Sequence, residues 1–422
     1  MITVNTSGTK LSDKYILSGK IQKKVRTAHD LLHGFDKSGG TGWVELPTEI
    51  TKTEINTIKD FAKNIQDMCE LFIVIGIGGS YAGANAGLEM LKRNSKTEVI
   101  FLGTSFNARE IQKALEQAKT KDVCVNVISK SGETTETAVT FQILEDFMKK
   151  KYKKGEYRKR IFVTTDYEKG SLREVATKEG YTSFVIPRTI GGRYSVFTPV
   201  GLLPLAVGGI NIEKVIQGAK QAQVYCSELD VMQNPAYKYA VTRYFIHTKC
   251  KKQLEVVASF DGRTKAFFEW FKQLFAESEG KDGKGLFVAS LNYSTDLHSF
   301  GQVLQEGSPI LFETIVDIKK QNADISLGKI KDSSPISYLN GKSLAEIERA
   351  TLNGVMEAHR QAGVPVIVIE MEEITEESFG EMLYFFMVAC GMSAYMLGVN
   401  PFNQPGVEAY KQKTREILKQ KN

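Results

Sequence analysis

Apolar residues in this chain gather into short continuous runs, separated by longer stretches in which they recur at helical spacing. The runs at 71–75, 98–102, 123–128, 161–163 and 183–186 lack the strict apolar–polar alternation of a half-solvated strand, so each is predicted as a strand buried on both faces. Segments 84–93 and 134–150 are predicted as helices, and in the second Phe141, Leu144 and Met148 fall on one stripe. A second series of runs follows at 254–258, 286–290, 310–318 and 366–371, with helical stretches between them that include 266–277 and 344–362. Strands alternating with helices predict parallel sheets joined by right-handed crossovers. The expected fold class is therefore α/β, with two consecutive domains, each a parallel sheet flanked by helices. The join is expected within 208–234, just past the Gly/Pro-containing stretch at 199–209. That gives an N-terminal helical segment at 1–45, a first domain at 46–210 and a second at 211–422, closed by a helix over 402–420.

The longest apolar segment, 382–397, is shorter than the roughly 20 residues a membrane span requires and reads as a buried helix. No membrane association is expected. The 422 residues carry 55 basic and 49 acidic side chains, a net charge of +6 spread along the chain, which does not imply nucleic-acid binding. Five cysteines, odd in number and without a CxxC pair, predict no disulfide framework or thiolate metal site, and a reducing, cytoplasmic setting.

Four segments carry candidate chemistry. Gly76-Ile77-Gly78-Gly79-Ser80-Tyr81 follows the first strand, where glycines permit a tight turn and close backbone approach to a ligand. Tyr81 occupies the third glycine position of a dinucleotide fingerprint, and the next strand ends without an acidic residue, which argues against a nicotinamide cofactor. Ser129-Lys130-Ser131-Gly132-Glu133-Thr134 joins a strand to a helix N-terminus, a setting in which hydroxyls and free amides receive an anion such as phosphate. Gly191-Gly192-Arg193 lets a guanidinium project toward a cleft, where a fixed cation stabilises an enediolate oxygen. Gln273 and Glu277 lie four apart on one helix face, and a carboxylate in the last turn faces the negative end of the helix dipole, which favours proton acceptance. Each segment also has an ordinary reading: a strand-to-helix turn, a helix cap, a structural arginine and a solvated glutamate. His298, among small and polar neighbours, is a candidate proton donor or a structural histidine, and Lys411 a candidate acid or a solvated lysine. His29-Asp30-Leu31-Leu32-His33 imitates a zinc-protease helix but has Asp30 in place of the general-base glutamate, and no metal site is expected.

In this order the segments closely resemble the glucose-6-phosphate isomerase family, in its shorter bacterial form, from about residue 40 to about 415. The resemblance rests on Ile77-Gly78-Gly79-Ser80, the 129–134 loop, the run from Gly191 to Gly201, Ala276-Glu277-Ser278-Glu279-Gly280-Lys281-Asp282-Gly283, and 402–411. It implies a pair of sugar-isomerase domains that interconvert an aldose and a ketose phosphate through a cis-enediol, with no metal or organic cofactor. Glu277 would be the base, Arg193 would stabilise the enediol, and His298 and Lys411 would serve ring opening and hydroxyl proton transfer. Gly79, Ser80, Gly192, Gln273 and Gln404 would contact the sugar, and Ser129, Lys130, Ser131 and Thr134 the phosphate. A homodimer is implied, with His298 reaching the site from the second subunit. One departure is Arg188-Thr189-Ile190, where the family commonly has acidic or amide residues before Gly-Gly-Arg; it is expected to alter the loop and add a positive charge. Two alternatives share the same resemblance: an isomerase that also accepts mannose 6-phosphate, and a non-catalytic sugar-phosphate sensor, for which 1–45 offers no readable DNA-binding motif.

Overall fold

The computed structural model describes residues 1–34 and 39–420. Its strands are β1 (Thr3–Gly8), β2 (Leu71–Ile75), β3 (Glu98–Leu102), β4 (Val123–Ile128), β5 (Ile161–Thr165), β6 (Thr182–Val185), β7 (Leu254–Ser259), β8 (Phe287–Asn292), β9 (Leu311–Ile318) and β10 (Val366–Met371). They form two five-stranded sheets, ordered β3-β2-β4-β5-β6 and β1-β10-β9-β7-β8. The first is parallel throughout. In the second, β7 to β10 are parallel and repeat the strand order of β2 to β5, while β1 joins the edge antiparallel to β10. The expected parallel α/β sheets are present, with one addition: the N-terminal segment supplies a strand as well as the helix Gly19–Leu32.

In both sheets the chain reverses direction of growth after its second strand, which opens a crevice at the carboxyl ends of β2 and β4 and another at those of β7 and β9. The inner faces share one apolar cluster, in which Phe72 and Val74 of β2 are joined through Val196, Phe271 and Phe386 to Phe312 and Val316 of β9. Helix Ile212–Cys226, just past the expected join, packs along helix Glu376–Leu397. By composition Glu376–Leu397 is long and apolar enough to cross a membrane, but 89% of its apolar window is buried, as befits a core helix.

One packing relationship positions the site. Helix Lys265–Glu279 follows β7 of the second sheet, yet it lies against helix Ala82–Met90, which follows β2 of the first. The first-sheet helix is built largely of small buried residues, Ala82, Gly83, Ala84, Ala86 and Gly87. The last turn of the second-sheet helix is thereby delivered to the crevice of the first sheet. At the other end of the chain, Pro405–Val407 forms a single 3-10 turn ahead of helix Glu408–Lys419, so the closing helix starts later than the expected 402.

Candidate active site

The floor of the first crevice is built from loops that leave β2 and β4. Gly78 takes φ +60°, a left-handed conformation that favours glycine, and a Cβ on Gly79 would fall 2.1 Å from the Gly192 carbonyl oxygen. The two glycine loops therefore touch backbone to backbone, and that contact brings Arg193 to the crevice. In the loop after β4, the buried Ser129 hydroxyl accepts from Gly132 N–H (3.0 Å), and the Ser131 hydroxyl accepts from Glu133 N–H (3.2 Å). These bonds curl the loop over the start of helix Thr135–Lys151. Thr134 is its N-cap residue and makes no side-chain cap bond. The positive helix end and a hydroxyl thus face the crevice together, an arrangement suited to phosphate.

Lys130 is turned into the wall: its Nζ donates to the carbonyls of Arg188 (3.0 Å) and Ile190 (3.1 Å), and burial draws its pKa down. The Arg188 that departs from the family pattern is itself answered by Asp166. Its Nε and Nη2 each lie 2.9 Å from the carboxylate, and Nη2 also reaches Glu168 (3.1 Å). The Arg188 guanidinium, helped by the amides of Glu168 and Lys169, holds the Asp166 carboxyl well below the usual carboxylate range. The added positive charge is neutralised within the loop.

Opposite the phosphate-type loop stands Glu277. Its Oε1 lies 3.2 Å from Arg193 Nη1, and its Oε2 accepts from Gln273 Nε2 (3.1 Å). The helix spacing that predicts Gln273 and Glu277 on one face is realised as this bond. Arg193 is 1% exposed, and its Nε donates to the Ser278 hydroxyl (2.8 Å) while Nη2 donates to the carbonyls of Pro401 and Asn403. A guanidinium held at so many points is a fixed cation rather than a roaming one. Gln273 Oε1 is buried and has no hydrogen-bond partner among the described residues, so the amide presents an unused acceptor.

The cleft so formed is about 600 Å³ and is lined by Gly79, Ser80, Ser129, Lys130, Ser131, Thr134, Gly192, Arg193, Gln273, Glu277 and Gln404. An adjoining outer cleft of about 550 Å³ shares Ser131, Thr134, Glu277 and Gln404, and adds Phe106, Tyr410, Lys411 and Arg415. All but one of the residues that the family resemblance assigns to the site thus line these two adjoining clefts. The exception is His298, exposed in the first turn of helix Leu297–Glu306 beyond β8, which lines neither cleft. Asp166, Lys169 and Gly170 line the inner cleft without having been singled out. Their one sequence signal is position, immediately past the carboxyl end of a parallel strand. His29 and His33 stack on each other with ring centroids 4.6 Å apart, and His29 Nδ1 pairs with the Tyr237 hydroxyl (2.8 Å). No group of three or more His, Cys, Asp or Glu side chains is placed to hold a metal ion among the described residues.

Two sheets whose parallel strands share one order, with a hydroxyl-rich loop and a carboxylate lining one switch-point crevice, place the chain among the α/β proteins of the sugar-isomerase fold. A similar architecture is found in a hypothetical protein of Thermus thermophilus, with TM-score 0.90 and 27% identity over 99% of this chain and 100% of that one. At the level of fold alone it is found in a glucose-6-phosphate isomerase of Chlamydia trachomatis, with TM-score 0.83 and 17% identity over 99% of this chain and 88% of that one. Within that class the phosphoglucose isomerase family model matches residues 57–422, and the chain belongs to this family. Among curated relatives, the glucose-6-phosphate isomerase of Staphylococcus saprophyticus is 46% identical over 93% of this chain and 90% of its own length. That of Staphylococcus aureus strain Newman is 44% identical over 94% and 91%.

Proposed function

We propose that this protein interconverts glucose 6-phosphate and fructose 6-phosphate, the glycolytic and gluconeogenic aldose–ketose step, with Glu277 as the base that carries the proton between C2 and C1. The observation that carries the reading is that Glu277 lines the same cleft as the 129–134 loop while bonded to both Gln273 and Arg193. Ser129, Ser131, Thr134 and the helix N-terminus behind them would anchor the phosphate. Gln273 Oε1, Ser80 and Gln404 would meet sugar hydroxyls. Glu277 would take the proton from C2 of the opened aldose and return it to C1. The negative charge that develops on the enediolate oxygen in between would fall beside the Arg193 guanidinium, already in place and needing no reorganisation. A positioned general base typically contributes about 10²–10⁴-fold in rate.

Ring opening calls for a proton donor near the ring oxygen, and His298 is the candidate. Because it is exposed on its own chain, it would act in the cleft of a second copy. Support comes from apolar surface that the same helix exposes: Phe300 and Val303 are 48% and 45% exposed, and association through this helix would cover them. Lys411, in the outer cleft, would exchange protons with the sugar hydroxyls. The five cysteines are all unpaired, which suits a reducing cytoplasm.

The test is a coupled assay for glucose 6-phosphate formed from fructose 6-phosphate, run with and without a chelator. The proposal expects turnover that the chelator leaves unchanged. No turnover by folded protein would reject it.

A further inference from the structure

The run Ala276-Glu277-Ser278-Glu279-Gly280-Lys281 ends in a cation that the reaction above does not use. Lys281 follows the Gly280 that closes the base helix, and its side chain folds back. Nζ donates to the carbonyl of Ser278 (2.8 Å), one of the orphan acceptors of the helix end, and to the carbonyl of Asn400 (2.5 Å). Asn400 opens the segment that runs through Pro401 and Asn403 to Gln404 at the cleft.

Arg193 reaches the same segment from the other sheet, through the carbonyls of Pro401 and Asn403, and the same helix end through the Ser278 hydroxyl. The Phe402 ring is wedged against Tyr194 and Tyr395, with centroids 5.2 and 6.1 Å away. Two cations and one aromatic ring therefore fasten four consecutive residues against the last turn of the base helix. Lys281 lines neither cleft and so touches no substrate. We propose that Lys281 is a positioning residue: its ammonium ties Asn400 to the end of the base helix and so holds Gln404 in register with Glu277.

This rests on the isomerase reading of the cleft. Burial, together with the charge of Arg193 nearby, brings the Lys281 pKa down to about 8, while Cys390, Glu277 and Asp282 act the other way. The tie is thus at full strength below that pH and weakens above it. The bonds that shape the 129–134 loop, Gly132 N–H to Ser129 and Glu133 N–H to Ser131, do not involve Lys281, so the loss is expected on turnover rather than on phosphate binding.

The experiment compares Lys281→Met and Lys281→Arg with the wild type, in the full-length protein, by steady-state kinetics on fructose 6-phosphate across pH and by thermal melting. For Lys281→Met we expect kcat to drop roughly 10- to 100-fold, the scale of a misplacement of about 1 Å, with KM within about threefold. Lys281→Arg keeps two donors and should restore most of kcat, while moving to higher pH the alkaline limb that the wild type is expected to show. Wild-type kcat in Lys281→Met would overturn the proposal. So would a loss shared between kcat and KM, with a lowered Tm and no rescue by arginine, since that is the mark of a merely structural lysine. A wild type without turnover would instead defeat the isomerase reading itself, so the two failures are distinct.

Discussion

Arg193 Nη1 and Glu277 Oε1 are 3.2 Å apart, although the arginine belongs to a loop of the first sheet and the glutamate to a helix of the second. The pair joins the two halves of the molecule at the proposed base. A carboxylate beside a fixed cation is held in one rotamer, and Gln273 fixes its second oxygen. In the proposed reaction the same cation would stand ready for the charge that appears on the substrate when the carboxylate takes its proton.

Arg193 therefore separates transition-state from ground-state binding. In Arg193→Lys the ammonium keeps the charge but cannot reach Glu277, Ser278 and the Pro401 carbonyl together. Loss of a charged hydrogen bond of about 1.5–3 kcal/mol would lower kcat by roughly 10- to 100-fold. An enediolate-mimicking hydroxamate sugar phosphate should lose affinity by a similar factor, and fructose 6-phosphate by much less. Equal losses for both ligands would remove the proposed role.

If each site is completed by His298 of a second copy, two inactive variants must rescue each other. Glu277→Gln and His298→Ala are each expected to be nearly inactive. Co-expressed in equal amounts, they should give about a quarter of wild-type activity, because half of a random population is mixed and each mixed dimer holds one intact site. Activity no higher than the sum of the parents would place His298 in its own chain's chemistry or in none.

His33 gives the fold a dependence on acid that is separate from catalysis. Burial, and secondarily His29, pushes its imidazole down to about 4. An unfolded histidine titrates near about 6.5, so the unfolded chain binds the extra proton first. Stability is complete above that pH and falls as pH drops toward 4. His33→Leu should flatten that fall, read as a smaller difference in Tm between pH 7.5 and pH 5. A slope identical to wild type would show that His33 contributes nothing to it.

The central strands were legible because parallel strands buried on both faces are written as unbroken apolar runs, and the observed ends of β2, β4 and β10 coincide with those runs. The edge strands β3 and β6, expected to be buried on both faces as well, and β8 are only partly covered, with Val185 and Phe287 exposed. β1 was not legible: an edge strand whose side chains alternate, with Val4 buried between exposed Thr3 and Asn5, carries too weak an apolar signal. Gln273 and Glu277 could be paired from helix spacing alone. The bond from Glu277 to Arg193 could not, because it depends on helix Lys265–Glu279 lying across helix Ala82–Met90, a tertiary fact without local trace. Arg188 stood out as an added positive charge, and nothing in the sequence paired it with Asp166, 22 residues earlier. The roles of Gln404 and Lys411 rest on family resemblance, since an exposed terminal segment shows no chemistry in its pattern.

The claim everything else depends on is that Glu277 moves the carbon-bound proton. The direct measurement is deuterium entry at C2 of glucose 6-phosphate during conversion of fructose 6-phosphate in heavy water, followed by proton NMR, for the wild type and for Glu277→Gln. The wild type should introduce deuterium as it turns over, while Glu277→Gln should bind the sugar phosphate and introduce it at least about 100-fold more slowly. Deuterium entry in Glu277→Gln at a rate near that of the wild type would contradict the account.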